Sequence, residues 1–203
     1  STGNWCPKCQ TTLANEDVKA GLCWRCDSEV IQKELYQWFA KTTDYADELL
    51  DGLNKVEFSN RLKALQTNWI GKSQGVEVYF KESETKEILP VFTTRPDTIY
   101  SCTFLVFAPE HQKIKEWVVG TKYEKSVREF LERTKKLNEL DRISKDKDGL
   151  FIGKYAINPV NGEKIPIYIA NFVIQGYGTG IVLADAHDQR DFEFAKKYDI
   201  PLK

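Results

Sequence analysis

The sequence lacks several features that would point to common classes of function. Its 203 residues include no methionine and begin Ser1-Thr2-Gly3, so we expect an excised or internal piece of a longer product. Basic and acidic residues nearly balance, 29 against 30, whereas a protein that grips a long nucleic-acid backbone carries a basic excess. Any contact with nucleic acid should therefore be local, at a strand end.

Long apolar runs are also missing. The longest, such as residues 104–108, are far shorter than the roughly 20 residues that a membrane-spanning helix needs. The sequence shows no signal-peptide pattern and no internal repeat. We therefore expect a cytoplasmic protein without a membrane partner.

Cysteine is scarce and unevenly distributed. Four of the five cysteines form the pairs Cys6-Pro-Lys-Cys9 and Cys23-Trp-Arg-Cys26. Each short spacing lets two sulfurs face one point, so the two pairs predict a tetrahedral site for Zn²⁺. Because four thiolates leave no position for water, the predicted Zn²⁺ is structural, and it would stabilise a segment too short to build its own core. Free or disulfide-bonded cysteines are the alternative, and Cys102 is predicted to be a small buried apolar residue.

Hydrophobic periodicity predicts a short helical section and then a section that is mostly strand. Helices are expected from Thr43, with Thr43 as cap, and from Ser59 to about Asn68, ended by Gly71. Further along, we expect strands at 76–80, 88–94, 104–108 and after Gly180, a hairpin across Asn161-Gly162, and helices at about 123–140 and from Asp188. The predicted fold class is α+β and mostly β, with a barrel-like core and inserted helices rather than a doubly wound sheet.

Polar side chains are concentrated at three places in the strand-rich section. Residues 93–98, Thr-Thr-Arg-Pro-Asp-Thr, follow a strand, and their hydroxyls and backbone donors suit a ribose or a developing oxyanion. Gly178 and Gly180 permit close approach by a ligand. Residues 187–191, His-Asp-Gln-Arg-Asp, begin a helix. Each motif has a structural alternative: a polar turn, a hydrogen-bonded histidine, or a capping aspartate with an acidic first turn.

Taken together and in this order, the motifs resemble the bacterial-type leucyl-tRNA synthetase family. Residues 4–16 and 21–26 resemble the family's zinc ribbon, and residues 37–41 resemble the segment that follows it. Residues 66–73 resemble the entry to the inserted editing domain, and residues 93–98 resemble that domain's threonine-rich region. Residues 178–180 and 187–195 resemble its second signature. Isoleucyl- and valyl-type enzymes share the threonine-rich pattern, so an editing domain of that type is an alternative.

The resemblance implies a division of the chain and an activity. It implies a zinc ribbon at residues 1–40, a helical connector at 41–71, and an editing domain at 72–203 that is truncated on its C-terminal side. Such a domain hydrolyses mischarged tRNA(Leu), so the expected partners are the 3′ end of that tRNA and the remainder of the synthetase. The family's ATP-site signatures, His-Ile-Gly-His and Lys-Met-Ser-Lys-Ser, do not occur in the sequence, so this chain is not expected to make leucyl-tRNA. A non-catalytic zinc-ribbon scaffold is the remaining alternative.

The resemblance also implies roles for residues of the editing site. Asp191 matches the carboxylate that holds the α-ammonium group, and Thr98 matches the residue whose bulk rejects the leucyl side chain. The groups around the terminal adenosine and the attacking water correspond to Thr93, Thr94 and Arg95. The other expected substrate contacts are Tyr177, Leu183, His187 and Asp188.

Two departures from the family pattern fall near these residues. Between Gly180 and His187 the chain reads Ile-Val-Leu-Ala-Asp-Ala, where the family usually has one more residue and a Val-Pro pair. Ser101 stands where glycine is common.

Overall fold

The computed structural model describes residues 2–36, 38, 40–135, 142, 146–175 and 178–203. The chain divides into two compact units. One consists of the described residues up to Gly3 together with Lys33–Gln74, and the other consists of Asn4–Gln32 together with Gly75–Lys203. The domain boundaries predicted near residues 40 and 71 stay predictions. Within the described ranges, no helix is long and apolar enough to cross a membrane.

Short strands dominate the cysteine-containing segment. They are β1 (Thr2–Cys6), β2 (Thr11–Leu13), β3 (Val18–Lys19), β4 (Leu22–Cys23) and β5 (Ile31–Glu34). The sheet order is β2-β1-β5, and β3 pairs with β4 in an antiparallel ladder.

Two α-helices follow, α1 (Ala46–Gly52) and α2 (Asn60–Ile70). Helix α2 begins and ends as predicted, because the Ser59 side chain accepts a hydrogen bond from the Leu62 backbone and Gly71 adopts a left-handed φ of +64°. The cap predicted for Thr43 is wrong. Thr43 lies inside a 3-10 helix, Thr42–Tyr45, which precedes α1 without a side-chain cap.

The largest sheet has six strands: β6 (Val76–Glu82), β7 (Ile88–Thr93), β8 (Phe104–Phe107), β9 (Gly149–Ile157), β10 (Lys164–Ala170) and β11 (Ile181–Ala184). Its order is β11-β8-β10-β9-β6-β7, and every neighbouring pair is antiparallel except β8 with β10. The prediction of a mixed, mostly-sheet fold is confirmed. Among the strands described, no ladder joins the outer strands β7 and β11, so the sheet is not a closed barrel, although these two strands lie close together.

Three α-helices accompany this sheet: α3 (Gln112–Val118), α4 (Glu124–Lys135) and α5 (Gln189–Lys197). Helices α4 and α5 begin where the sequence predicts them, and the part of the predicted α4 beyond Lys135 lies outside the described residues. Helix α3 was not predicted from the sequence. Its seven residues bury only Ile114 and Val118, which is too short a stripe to establish a helical period.

Strand β8 separates two hydrophobic clusters. Side chains alternate across a strand, so Leu105 and Phe107 pack into the cluster that includes α3 and α4, whereas Phe104 and Val106 pack with Phe194 of α5. All four residues of β8 are buried, which explains its unbroken apolar sequence.

Candidate functional site

A cleft of about 850 Å³ lies where the end of β7, strand β11 and the start of α5 meet. The structure brings together at this cleft all the predicted editing residues that it describes: Thr93, Thr94, Arg95, Thr98, Leu183, His187, Asp188 and Asp191. Tyr177 was also predicted, and it lies outside the described residues.

The threonine-rich segment forms a tight turn at the end of β7. The Thr93 hydroxyl accepts a hydrogen bond from the Arg95 backbone N–H at 3.0 Å. The 3-10 helix Pro96–Ser101 begins immediately afterwards, and both the backbone N–H and the hydroxyl of Thr98 donate to the Arg95 carbonyl at 3.1 Å. Because its hydroxyl is tied to the turn, buried Thr98 contributes a fixed volume to the cleft.

Arg95 is held by its neighbour Asp97. The guanidinium Nε and Nη2 atoms donate to the two carboxylate oxygens at 3.0 and 2.8 Å, a bidentate geometry. This pair keeps the pKa of Asp97 below its ordinary value. Both side chains are about two-thirds exposed, so the pair orients Arg95 more than it stabilises the fold.

The start of α5 places two aspartates side by side with different functions in the fold. Asp188 caps the helix, since its Oδ1 accepts from the backbone N–H groups of Arg190 and Asp191 at 2.9 and 3.2 Å. Asp191 is only 2% exposed, and Arg190 Nε donates to its carboxylate at 3.2 Å. Burial raises the pKa of Asp191 to about 7, because it outweighs the opposing effect of Arg190. The Asp191 carboxyl is therefore close to its ionisation point near neutral pH.

Asp185 is a site residue that the sequence did not identify. Its side chain is buried against the cleft, and its Oδ1 accepts from the backbone N–H of His187 at 2.6 Å and lies 3.0 Å from His187 Nδ1. The Ser101 hydroxyl lies 3.4 Å from the same ring nitrogen. Both Asp185 and Ser101 occupy positions where the chain departs from the family pattern, so matching motifs could not give them a role.

A second unpredicted group supports the cleft wall from behind. Arg142 is 6% exposed, and its guanidinium donates to the backbone carbonyls of Asn171 and Val173 at 2.6 and 2.7 Å. The same guanidinium pairs with Glu110 at 2.6 Å. Since Val173 lines the cleft, Arg142 fixes that part of its wall.

The glycines after position 177 are required by the packing of neighbouring side chains. Gly178 and Gly180 have φ values of +57° and +73°. A Cβ on Gly178 would lie 2.8 Å from the Cβ of Phe92, and one on Gly180 would lie 2.6 Å from Gln175 Oε1. Two side chains that line the cleft, Phe92 and Gln175, therefore require glycine at these positions, and the approach of a ligand stays a prediction.

The four paired cysteines form a separate cluster. The Sγ atoms of Cys6, Cys9, Cys23 and Cys26 lie within 4.8 Å of one another, and those of Cys6 and Cys26 are 3.5 Å apart. Four ligands at the usual Zn–S distance of about 2.3 Å would be about 3.8 Å apart, so the cluster fits a tetrahedral metal ion.

Groups around the cluster suit thiolates. The Ser28 hydroxyl lies 3.2 Å from Cys6 Sγ and 2.9 Å from Cys26 Sγ, and the Cys9 backbone N–H donates to Cys6 Sγ. The fifth cysteine behaves differently. Cys102 is fully buried, and burial raises the pKa of its thiol to about 12, so the prediction of a small buried apolar residue is confirmed.

Comparison with known proteins agrees with this geometry. The family described as "Leucyl-tRNA synthetase, editing domain" matches residues 67–203. The leucine–tRNA ligase of Nitratidesulfovibrio vulgaris (strain DP4) is 53% identical over 205 residues, which cover 98% of this chain and 25% of that protein. The leucine–tRNA ligase of Lawsonia intracellularis (strain PHE/MN1-00) is 48% identical, and the match covers 24% of that protein.

A solved structure is similar over the whole chain. The ternary complex of Agrobacterium radiobacter K84 agnB2 LeuRS with tRNA and LeuAMS matches 100% of this chain and 25% of that one, with a TM-score of 0.78 and 35% identity. This chain thus spans about a quarter of the length of the relatives it matches. With the family match covering most of its length, the chain belongs to the leucyl-tRNA synthetase editing-domain family.

Proposed function

We propose that this chain hydrolyses the ester bond of mischarged tRNA(Leu), as the proofreading part of a leucine–tRNA ligase that acts in the cytoplasm. The observation that carries the proposal is the nearly complete burial of Asp191 in the same cleft as the threonine-rich turn. The relatives are leucine–tRNA ligases, and the similar solved complex contains tRNA, which supports tRNA and the rest of the synthetase as partners.

Asp191 recognises the α-ammonium group of the misattached amino acid. A carboxyl whose pKa burial has raised to about 7 gains a compensating charge when a cation enters the cleft, so binding and ionisation favour each other. The free 3′ end of uncharged tRNA has no such ammonium group, so this contact also distinguishes substrate from product.

Thr98 excludes the cognate leucyl group. Its hydroxyl is anchored to the turn, so a γ-branched side chain meets a rigid wall, whereas the unbranched side chain of norvaline avoids it. Discrimination by one methyl group is limited to about 10- to 200-fold in a single pocket, which is why a second, hydrolytic sieve is useful.

Thr93, Thr94 and Arg95 surround the terminal adenosine and the attacking water. An aminoacyl ester is already reactive, so orientation of the ester and water provides the acceleration without a covalent intermediate. Arg95 is held by Asp97 in an exposed position, which suits a guanidinium that meets the 3′ end of a nucleic acid. Leu183, His187, Asp188 and Tyr177 complete the expected substrate contacts.

The cysteine cluster binds Zn²⁺ within the zinc ribbon predicted at residues 1–40. The four sulfurs satisfy a tetrahedral ion completely, so the metal would have a structural function only. The Ser28 hydroxyl would hydrogen-bond the bound thiolates and fix their orientation.

Two further features support the family's architecture. The closeness of β7 and β11 supports a barrel-like curvature of the main sheet. In the other unit, Tyr36, Trp38 and Trp69 are almost fully exposed, which supports contact with the remainder of the synthetase.

Release of labelled amino acid from norvalyl- and leucyl-tRNA(Leu) by this chain tests the proposal. We expect norvaline to be released and leucine spared, Asp191→Ala to abolish release, and Thr98→Ala to begin to release leucine. Glu193→Ala is the matched control, because Glu193 is an exposed carboxylate on the same helix as Asp191 and does not line the cleft.

Other outcomes favour the alternatives. If the folded, metal-loaded chain releases neither amino acid, it is a zinc-ribbon scaffold that depends on the rest of the synthetase. Faster cleavage of mischarged tRNA(Ile) or tRNA(Val) than of norvalyl-tRNA(Leu) would assign it to an isoleucyl- or valyl-type editing domain.

A further inference from the structure

The contacts of the Asp185 carboxylate determine which ring nitrogen of His187 carries the proton. Its Oδ1 already accepts the His187 backbone N–H at 2.6 Å, and it lies 3.0 Å from His187 Nδ1. Because a carboxylate oxygen only accepts hydrogen bonds, Asp185 Oδ1 accepts from the ring as it does from the backbone, and His187 Nδ1 is the donor.

Ser101 leads independently to the same assignment. Its hydroxyl donates to the Thr98 carbonyl at 3.0 Å, so its proton is already used. Only oxygen lone pairs remain for His187 Nδ1, which lies 3.4 Å away. Both polar neighbours of Nδ1 are therefore acceptors.

A proton on Nδ1 determines the chemistry of the other ring nitrogen. Neutral imidazole carries one proton, so Nε2 then has a free lone pair. Within the part of the chain that the structure describes, His187 Nε2 makes no hydrogen bond, and the residue lines the cleft. Nε2 is thus available to accept a hydrogen bond from a ligand.

We propose that Asp185, supported by Ser101, is a positioning residue that holds neutral His187 with its proton on Nδ1, so that Nε2 accepts a hydrogen bond from a hydroxyl group in the cleft. The inference deepens the proposed function and rests on it for the identity of the ligand. In that reaction the available O–H donors are the attacking water and the free hydroxyl of the terminal ribose. Asp185 itself does not touch the substrate.

The tautomer can be measured in the free protein by long-range ¹H–¹⁵N NMR of the imidazole rings. The sequence has only two histidines, and His111 provides an internal reference, because its Nδ1 accepts from the Lys113 backbone and its proton therefore lies on Nε2. At about two pH units above the ordinary histidine pKa of about 6.5, we expect opposite tautomers for the two rings. His111→Gln assigns the signals.

Two variants separate the carboxylate's geometry from its charge. Asp185→Asn keeps an acceptor oxygen, which the His187 backbone N–H orients, so the Nδ1–H form should persist. Asp185→Ala removes that acceptor, so the His187 signals should move towards the Nε2–H form seen for His111. An Nε2–H form of His187 in the unmodified chain, or identical spectra for Asp185→Ala and the unmodified chain, would overturn the inference whether or not the chain edits tRNA.

Kinetics on norvalyl-tRNA(Leu) then identify the hydroxyl. If Nε2 orients the attacking water, Asp185→Ala and His187→Gln should each lower kcat by about tenfold or more with little change in KM. If it binds the ribose, KM should rise instead, and substrate with a deoxy terminal adenosine should be insensitive to His187→Gln. Unchanged kcat and KM in both variants, with thermal stability preserved, would also reject the inference.

Discussion

At Asp191, the requirements of the fold and of the proposed activity are opposed. The carboxyl is almost completely buried, and the Arg190 side chain compensates its charge only in part. The native protein therefore holds a proton on Asp191 in a pH range where the unfolded chain has released it. A raised carboxyl pKa of this kind makes the folded state less stable as pH rises from about 4 to about 7.

Asp191→Asn should accordingly stabilise the fold while it abolishes editing. The amide removes the cost of burying a charge, and we expect a gain in unfolding free energy of about 2 to 4 kcal/mol at about pH 8 that becomes small at about pH 4. Urea unfolding at the two pH values measures this difference. Asp97→Asn is the control, because the pKa of Asp97 is lowered and the side chain is exposed, so it should show no such gain. Destabilisation by Asp191→Asn at about pH 8 would contradict the assignment of a raised pKa.

At the scale of elements, the β6–β7 hairpin positions the threonine-rich turn. Glu82 ends β6 and is fully buried, and its Oε2 accepts from the Glu84 and Thr85 backbone N–H groups and from the Thr85 hydroxyl. Burial favours the neutral acid, but these hydrogen bonds and the nearby Lys154 outweigh it and hold the pKa of Glu82 below its ordinary value. The hairpin therefore depends on an ionised carboxylate.

Replacement of Glu82 should weaken the hairpin in a pH-dependent way. We expect Glu82→Gln to lower the unfolding free energy by about 1 to 3 kcal/mol at neutral pH, because charge-assisted hydrogen bonds to the turn are lost. A lowered carboxyl pKa stabilises the fold above the unfolded-state pKa, so the difference should shrink as pH falls below the ordinary Glu pKa of about 4 and vanish once pH is below the lowered pKa. Thermal unfolding across this range is the measurement. Glu84→Gln, at an exposed position in the same turn, should change stability by less than about 1 kcal/mol, and equal effects of the two variants would contradict this assignment.

At the scale of the whole molecule, the segment that contains the cysteine cluster and the cleft use separate residues. In the described part of residues 4–32, the only buried apolar side chains are those of Cys6 and Cys23, so this segment has almost no hydrophobic core. All the described residues that line the cleft lie between positions 92 and 191. Folding of the first depends on the proposed metal, whereas the second has the two clusters around β8.

Removal of the metal should therefore affect one region and spare the other. After chelation, we expect proteolytic cleavage within residues 10–22, because the loop between the cysteine pairs loses its cross-link. Norvaline release should persist at close to its original rate. Cys9→Ser should reproduce the effect of chelation, and Cys102→Ser should leave the loop resistant to proteolysis. Loss of editing on chelation with the sheet still folded would show that the metal site supports the cleft.

Several elements could be predicted from the sequence because their causes are local. The two Cys-x-x-Cys pairs bring sulfurs together by spacing alone, and the structure finds all four within 4.8 Å. Helix α2 is bounded by Ser59 and Gly71, whose preferences depend on their own backbone. The run of residues 104–107 is apolar at every position, which predicts a strand buried on both faces.

Other features depend on residues distant in sequence and so could not be predicted. The pairing of β8 with β10 is parallel, although adjacent hairpins favoured antiparallel neighbours, and the outer strands remain unjoined by a ladder. The cap expected at Thr43 gave way to a 3-10 helix. The glycines at 178 and 180 make room for Phe92 and Gln175, which are contacts that no local pattern contains.

The sequence by itself determined which residues are proposed to supply the chemistry: the four thiols, the threonine-rich turn and the acidic start of α5. These are fixed by side-chain type and short spacing, which are properties of the chain alone. Only the tertiary structure decided that the end of β7 and the start of α5 share one cleft. It also decided that Asp191 is buried and that Asp185 faces His187, because burial and hydrogen-bond partners depend on what the fold places around each group.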